Sequence, residues 1–328
     1  MAEAVVLFYV DTENIKVYNY KKFPLEVTDM YNNYLFCYFK GNDPKDESIN
    51  YALSKDGYHF TPLNNNEPFL FNEKGTKGIR DPFVFRAVDG TFYIIGTDMR
   101  SELGWASNHA ICIWHSDDLV NWEQYENIDM EDYGLKGSVR TWAPEVIYDK
   151  EKEMYMIYWA NAQHFEDTDE WTNTVMWYAY TKDFRKLETE PKILYAPPCK
   201  KDAIDADIIE NDGTFYMYYK DENNKRICYV YSDCLTGPYK EPENKSASAF
   251  DEDTEGCCMY KLAGTDKWAM IMDSYSKGYY LMQTTTDFIN FVPVAEGDYF
   301  LDFSPRHGSM LLISDEEYER IEKFFENK

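Results

Sequence analysis

Five polar residues stand at the start of short apolar segments that are spread along the chain. They are Asp81 in Arg-Asp-Pro-Phe, Glu145 in Trp-Ala-Pro-Glu, Asp205 in Ile-Asp-Ala-Asp, Glu255 in Thr-Glu-Gly-Cys and His307 in Arg-His-Gly-Ser. Their spacings of 64, 60, 50 and 52 residues are nearly regular, which indicates equivalent positions in successive structural repeats. If the repeats surround an axis, the four acids and the histidine meet at one end of it.

Such a group of acids has a recognisable chemistry. Placing several carboxylates together is unfavourable, because each raises the pKa of its neighbours. A protein that contains such a group therefore usually has a function for it. Hydrolysis of a glycosidic bond needs one protonated carboxyl, which donates to the leaving oxygen, and one carboxylate, which activates water. A third carboxylate can keep the acid protonated and oriented. Each residue alone is better explained as a strand cap or a structural cation ligand, but the set favours catalysis.

The elements that must position these acids also repeat. A small hydroxyl residue, then Asp, then an apolar residue recurs near the end of each unit, and the segments are 54–60, 116–122, 181–187, 232–235 and 285–291. Before each, apolar strands are joined by polar turns such as Asp89-Gly90 and Asp212-Gly213, the strongest short hairpin signal. About four strands per repeat predict an all-β protein, a five-bladed β-propeller of four-stranded antiparallel blades. A β-sandwich is the alternative, but it gives no reason for the period.

One blade of this propeller is predicted to be shared between the two ends of the chain. The segments 35–39 and 49–53 would pair with 308–313, which closes the ring and removes an exposed sheet edge. Ser314-Asp315-Glu316-Glu317 then forms a capping box and predicts a short helix over about 315–327. We therefore expect one catalytic domain over residues 1–328.

Composition limits the partners and the compartment. The net charge is −26 and the sequence pI is near 4.5, which argues against nucleic acid or an anionic membrane as a partner. The seven cysteines include no CxxC pair, so neither a disulfide framework nor a zinc ribbon is indicated. The first residues lack the pattern of a signal peptide, and no segment approaches a membrane span. These features predict a cytoplasmic protein.

The same polar residues carry a resemblance to a known family. In chain order the motifs are Arg80-Asp81-Pro82-Phe83, Trp142-Ala143-Pro144-Glu145, Ile204-Asp205-Ala206-Asp207, Glu255-Gly256 and Arg306-His307-Gly308. Together they resemble glycoside hydrolase family 43, whose members are five-bladed propellers acting with inversion on arabinose- and xylose-containing polysaccharides. The resemblance runs from about residue 34 to residue 313.

The resemblance implies a role for each of these residues. Asp81 would be the general base, Asp205 would tune the acid, and Glu255 would be the general acid. Asp207 is the alternative to Asp205, and the resemblance favours Asp205. His307 would help to hold a calcium ion or a water molecule in the central channel, although the chemistry itself requires no cofactor.

Substrate contacts are assigned to Trp142, Glu145 and Arg306. Trp142, together with Trp105 and Phe39, is a candidate to stack on a sugar ring, and a core role fits each of these aromatic residues equally well.

The leading function is an inverting exo-glycosidase that releases terminal α-L-arabinofuranose, β-D-xylose or both from plant cell-wall oligosaccharides. One alternative is a retaining fructan-type glycosidase, whose nucleophile would be Asp43 in Gly41-Asn42-Asp43-Pro44. Another is a propeller that binds a carbohydrate or a protein without turning it over. Retention of Asp81, Asp205 and Glu255 weighs against that second alternative.

Overall fold

The computed structural model describes residues 31–199 and 201–328, which form five antiparallel sheets arranged around one axis. The N-terminal expectations, including the part of the predicted domain before residue 31, lie outside the described residues. The first sheet combines β1 (Asn33–Tyr38), β2 (Asn50–Ser54) and β3 (Thr61–Pro62) with the last strand, β21 (Gly308–Ile313). The prediction of a shared blade is confirmed, with Tyr34 opposite Leu312 and Tyr38 opposite Gly308.

The other four sheets follow in chain order, each starting with its innermost strand. One contains β4 (Ile79–Arg86), β5 (Phe92–Asp98), β6 (Ala110–Ser116), β7 (Glu123–Gln124) and β8 (Ile128–Asp129), and the next contains β9 (Ser138–Asp149), β10 (Met154–Phe165), β11 (Glu170–Trp171), β12 (Val175–Thr181) and β13 (Lys192–Tyr195). The third contains β14 (Ala203–Asn211), β15 (Thr214–Asp221) and β16 (Arg226–Ser232), and the fourth contains β17 (Glu255–Lys261), β18 (Trp268–Ser274), β19 (Tyr279–Thr285) and β20 (Val292–Pro293). Single 3-10 turns lie at Asn64–Asn66, Ser101–Leu103 and Met130–Tyr133.

The innermost strands close the ring. β4 contacts β9, β9 contacts β14, β14 contacts β17, β17 contacts β21, and β21 contacts β4. The five-bladed propeller is therefore confirmed. The sheet of β14–β16 departs from the four-stranded pattern, because two isolated bridges, Cys228 to Ser246 and Tyr231 to Lys240, stand where a fourth strand was expected.

The core lies between the blades, so both faces of each central strand are apolar. On β10, Ile157 and Trp159 pack toward the preceding blade, while Met156, Tyr158 and Ala160 pack toward the following one. Adjacent side chains on a strand point to opposite faces. Because both faces are buried, the sequences of these strands are continuous apolar and aromatic runs and do not alternate between apolar and polar residues.

In four of the five segments the hydroxyl–Asp signature forms a turn in which the Asp side chain accepts from the backbone. In 116–122, Asp118 accepts hydrogen bonds from the backbone N–H groups of Val120 and Asn121, at 3.1 and 2.8 Å. The next residue, Leu119, has φ of 68° and is fully buried. Phe184 and Phe288 occupy the same place with φ of 59° and 64°. The apolar residue of the signature therefore inserts into the core.

Helix α1 (Asp315–Glu326) packs against the first sheet, where Ile321 joins the same apolar cluster as Tyr51. The predicted capping box is confirmed: the Ser314 side chain accepts from the Glu317 backbone N–H, and the Glu317 carboxylate accepts from the Ser314 N–H. Glu317 also forms a two-point ion pair with Arg86 at 2.6 and 2.9 Å. Within the described ranges, no helix is long and apolar enough to cross a membrane.

Loss of this ion pair should destabilise the protein. Burial would raise the pKa of Glu317, but the hydrogen bond and charge of Arg86 outweigh it and lower the pKa; the stabilisation is therefore present at neutral pH and lost in acid. Glu317→Ala is expected to lower the free energy of unfolding at pH 7 by about 2–3 kcal/mol, because it leaves Arg86 unpaired and removes half of the cap. Urea denaturation measures this difference.

Glu319 on the same helix provides the matched control. Its ion pair with Lys323 is exposed, so Glu319→Ala should cost less than about 0.5 kcal/mol. Equal losses in the two variants would contradict the structural role assigned to the Arg86 pair.

Candidate active site

Four innermost strands contain the same backbone irregularity near the end at which they begin. Asp81, Ala143, Asp205 and Gly256 have positive φ of 51°, 45°, 54° and 57°, and each lies in a shift of the strand register. L-residues seldom adopt this conformation, and a β-bulge re-aims the side chain it contains. The repeat thus turns four equivalent positions toward the axis.

This register corrects the equivalence inferred from sequence. The equivalent residues are spaced by 62, 62 and 51 positions, whereas the predicted set used Glu145 and Glu255. Glu145 lies two residues beyond the bulge at Ala143, and Glu255 one residue before the bulge at Gly256. A β-bulge adds one residue to a strand without adding a pair to the hydrogen-bonded ladder. The spacing from acid to acid therefore misplaced the equivalent positions by one or two residues.

His307 connects two of the predicted catalytic acids. Its Nδ1 lies 3.3 Å from Asp81 Oδ1 and 3.9 Å from Asp205 Oδ1. Burial by itself would lower the pKa of His307, but the hydrogen bond to Asp81 and the negative charges of Asp205, Asp81 and Glu255 raise it to about 9. The imidazole is thus a buried cation at neutral pH. Gly256 permits this packing, since an added Cβ would lie 2.7 Å from the His307 ring.

Asp81 is held as a carboxylate. Its Oδ2 accepts a hydrogen bond of 2.8 Å from Thr97 Oγ1, and that hydroxyl in turn accepts from the Ala143 N–H. Burial would raise the pKa of Asp81, but the hydrogen bond and charge of His307, with help from Arg80 and Thr97, outweigh it and lower the pKa. An ionised carboxylate of this kind can accept a proton from water.

Glu255 is held by two cations. Lys220 Nζ lies 2.7 Å from its Oε2, and Arg306 Nη2 lies 3.0 Å from its Oε1. Arg306 is fixed in turn, because its Nε donates to Asp273, the cross-strand neighbour of Glu255. The carboxyl orientation is therefore set on both sides.

Asp205 lies between these two groups. Its Oδ2 accepts a hydrogen bond of 3.2 Å from the backbone N–H of Gly256, the residue after Glu255. Burial raises the pKa of Asp205; His307 opposes this shift, while the charges of Glu255 and Asp81 add to it. The backbone contact of Asp205 fixes the strand that carries Glu255.

Two further acids, Glu145 and Asp207, each stand two residues beyond a bulge residue of an innermost strand. Glu145 is 6% exposed, and its Oε2 accepts a hydrogen bond of 2.6 Å from Tyr158. Asp207 is also 6% exposed and accepts from the Met259 N–H at 2.6 Å. Burial raises the pKa of both, that of Asp207 to about 7. Glu145 is thus buried and paired with Tyr158, and its predicted substrate contact stays a prediction.

Three polar residues of the site were not found from sequence. Thr97, Lys220 and Asp273 lie on the second strand of their blades, opposite Arg80, Ile204 and Glu255. Each contacts a site residue, and each is at most 4% exposed. A signal was present: in Gly96-Thr97-Asp98, Tyr219-Lys220-Asp221 and Met272-Asp273-Ser274, the apolar strand ends in polar residues at the same place.

The surroundings of His307 bear on the metal ion that the resemblance implies. Across residues 31–199 and 201–328, no group of three or more His, Cys, Asp and Glu side chains has a geometry that could hold a metal ion. The imidazole of His307 lies between Asp81 and Asp205. A calcium ion or water molecule near His307 stays a prediction, and no step of the chemistry is assigned to a metal.

The three aromatic candidates differ in exposure. Phe39 is 1% exposed and lies under the Arg80 guanidinium, so it belongs to the core. Trp105 is 51% exposed and also lies near Arg80, with a guanidinium-to-ring distance of 5.0 Å. Trp142 is partly buried beside Arg140, and its indole Nε1 has no hydrogen-bond partner in the described part of the chain. Trp105 and Trp142 retain surfaces that a sugar could contact.

Comparison with known families gives the same assignment as the motifs. A family model described as "Probable glycosyl hydrolase domain", related to glycoside hydrolase family 43, matches residues 29–319. The chain belongs to this family 43-related group. Its propeller and the clustering of the motif residues around the axis agree with that membership.

One curated relative is an α-L-arabinofuranosidase of Bifidobacterium longum. It is 28% identical over 220 residues, a match that covers 57% of this chain and 20% of that protein. The family 43-related chain therefore spans only about a fifth of the length of this relative.

Solved family 43 structures share the fold at low sequence identity. A thermostable family 43 glycoside hydrolase has a TM-score of 0.51 and 20% identity, with 69% of this chain and 75% of that chain covered. A family 43 β-1,3-galactosidase has a TM-score of 0.56 and 12% identity, with 77% and 54% covered. An engineered family 43 enzyme described as having endo-xylanase and exo-arabinofuranosidase activity has a TM-score of 0.55 and 15% identity, with 87% and 53% covered.

Proposed function

We propose that this family 43 glycoside hydrolase is an inverting exo-glycosidase that releases terminal α-L-arabinofuranose, β-D-xylose or both from plant cell-wall oligosaccharides. The observation that carries the proposal is the pairing of an ionised Asp81 with a separate carboxyl, Glu255, through His307 and Asp205. The α-L-arabinofuranosidase relative supports arabinofuranose as a substrate. A cytoplasmic location is part of the proposal, since short oligosaccharides can enter a cell and intact polysaccharides cannot.

In the proposed reaction, Glu255 donates its proton to the glycosidic oxygen while the bond from that oxygen to the anomeric carbon breaks. A water molecule attacks the same carbon from the opposite face, and its proton passes to Asp81. Asp205 tunes Glu255, and His307 keeps Asp81 ionised until the proton arrives. The charges balance, because one carboxyl loses a proton and the other gains one.

Substrate recognition is assigned to Trp142, Arg306 and Trp105. Trp142 is only partly buried beside Arg140, so the accessible part of its ring can contact a sugar. Arg306 reaches Glu255, so it lies on the side where the leaving group would be protonated. The half-exposed ring of Trp105 provides a face for stacking.

The two alternatives are less well supported. In the fructan-type reading, Asp43 would have to face the axis, yet it is exposed in a turn where its carbonyl accepts from Asp46 and Glu47. A binding-only propeller has no use for holding Asp81 ionised beside a second carboxyl.

A panel of 4-nitrophenyl glycosides tests the substrate class. We expect turnover of the α-L-arabinofuranoside, the β-D-xyloside or both, and little or none of the β-D-galactoside. The double variant Asp81→Asn with Glu255→Gln controls for contaminating activity. No hydrolysis of either pentoside by the wild type, with sugar binding detected by calorimetry, would contradict the proposal and favour the binding-only propeller.

A further inference from the structure

Lys220 is a buried cation beside the proposed general acid, and the reaction steps described above assign it no role. It lies on β15 with 4% of its surface exposed. Its Nζ is 2.7 Å from Glu255 Oε2 and 2.8 Å from Glu222 Oε1, and it lies 4.3 Å from the centroid of the Tyr275 ring. Burial of a lysine is unfavourable unless its charge is paired. The two carboxylates of Glu222 and Glu255 supply that pairing.

Lys220 has a carboxylate partner in both protonation states of the proposed general acid, Glu255. In an inverting hydrolysis, the acid begins neutral and ends as a carboxylate. While Glu255 is neutral, the charge of Lys220 is balanced by Glu222. As the proton leaves Glu255, the same ammonium group is already within hydrogen-bond distance of the oxygen that becomes charged. No side chain has to move during the step.

We propose that Lys220 is a positioning residue for the general acid: it fixes the Glu255 carboxyl and stabilises the carboxylate that forms on proton transfer. This inference rests on the proposed glycosidase function. The O–H bond of Glu255 breaks, an O–H bond forms on the leaving alcohol, and Lys220 keeps its three protons throughout. Lys220 therefore acts through Glu255 and does not contact the reacting carbon.

Other charged and titratable groups also face Glu255 and bear on its protonation. They are Arg306, Asp205, Asp273, His307, Tyr275 and Tyr280. Arg306 is the second cation in contact with Glu255, but its Nε is committed to Asp273. Removal of Lys220 would therefore leave Glu255 in contact with Arg306 alone, whose charge is shared with Asp273.

Leaving-group dependence separates this role from a merely structural one. Lys220→Met is expected to lower kcat about 10- to 100-fold on a disaccharide, whose leaving alcohol needs the acid, which is within the range for general acid catalysis or just below it. On a 2,4-dinitrophenyl glycoside, whose leaving group needs no proton, the loss should be much smaller. Lys220→Arg keeps the charge and should restore most of the disaccharide activity.

Lys225 provides the matched control, because it also pairs with Glu222 but is 43% exposed. Lys225→Met should leave both substrates within about twofold of wild type, as for an exposed ion pair. An equal loss on both substrates in Lys220→Met, or the same loss in Lys225→Met, would overturn the proposal.

A second measurement does not depend on turnover. Carboxyl carbon-13 NMR, with the Glu255 resonance assigned from Glu255→Gln, follows its protonation against pH. In Lys220→Met the midpoint should move up by about one pH unit, because an opposite charge favours the carboxylate, whereas it should not move in Lys225→Met. An unmoved midpoint in Lys220→Met would overturn the role of Lys220. If the wild type cleaves no glycoside, the proposed function fails, and this titration still decides the interaction.

Discussion

Glu255→Gln is expected to abolish hydrolysis of oligosaccharides while leaving sugar binding intact. Glutamine keeps the shape of the side chain and can still contact Arg306, but it has no proton to donate to an alkoxide leaving group. General acid catalysis contributes about 10²- to 10⁴-fold, so the loss in kcat on a disaccharide should lie at the upper end of this range. On a 2,4-dinitrophenyl glycoside the loss should be less than about tenfold.

The control for this variant is Asp81→Asn, which leaves the proposed donor in place. Because water activation is needed whatever the leaving group is, its losses on the two substrates should be similar to each other. Normal disaccharide turnover by Glu255→Gln, or an equal loss on both substrates, would contradict the assignment of Glu255 as the acid.

Asp81→Asn should have the second large effect, and it should not depend on the leaving group. The amide cannot accept a proton from water, so both substrates should lose about 10³- to 10⁴-fold in kcat. Because His307 is held as a cation mainly by Asp81, its pKa of about 9 should fall in this variant. Steady-state kinetics and histidine NMR report these two effects separately.

Asp43→Asn is the matched control, since Asp43 also precedes a proline but lies exposed in a turn. It should retain full activity if Asp81 is the base that activates water. Loss of activity in Asp43→Asn with retention in Asp81→Asn would instead favour the fructan-type alternative, in which Asp43 is the nucleophile.

Much of the architecture could be predicted because it is encoded by local signals that repeat. Asp-Gly turns, the hydroxyl–Asp signature and the capping box at Ser314 each act over a few residues, and the structure contains them where the pattern places them. The shared blade followed from the unpaired strands at the two ends of the chain. The blade of β14–β16 lost its fourth strand where the signature carries Cys234 in place of the Asp.

The site could be predicted only in part, because its geometry depends on bulges. The positive φ of Asp81 and Asp205 is not visible in a sequence of non-glycine residues, and the bulge decides which neighbour faces the axis. Gly256 is the one glycine among the four bulge residues, and glycine often marks a bulge. The spacing of the acids, however, indicates Glu255 as the residue equivalent to Asp81 and Asp205. Lys220 was missed because its function comes from a cross-blade contact with Glu255 that no spacing along the chain reveals.

Proton NMR of the product at early times distinguishes inversion from retention at the anomeric carbon. If Asp81 activates water and Glu255 protonates the leaving oxygen, a single displacement occurs at the anomeric carbon, and the first-formed sugar has the inverted configuration. The expected result from an α-L-arabinofuranoside is β-L-arabinofuranose before mutarotation. Appearance of the α-anomer first would mean retention through a covalent intermediate, and it would contradict the role of Asp81 as a base.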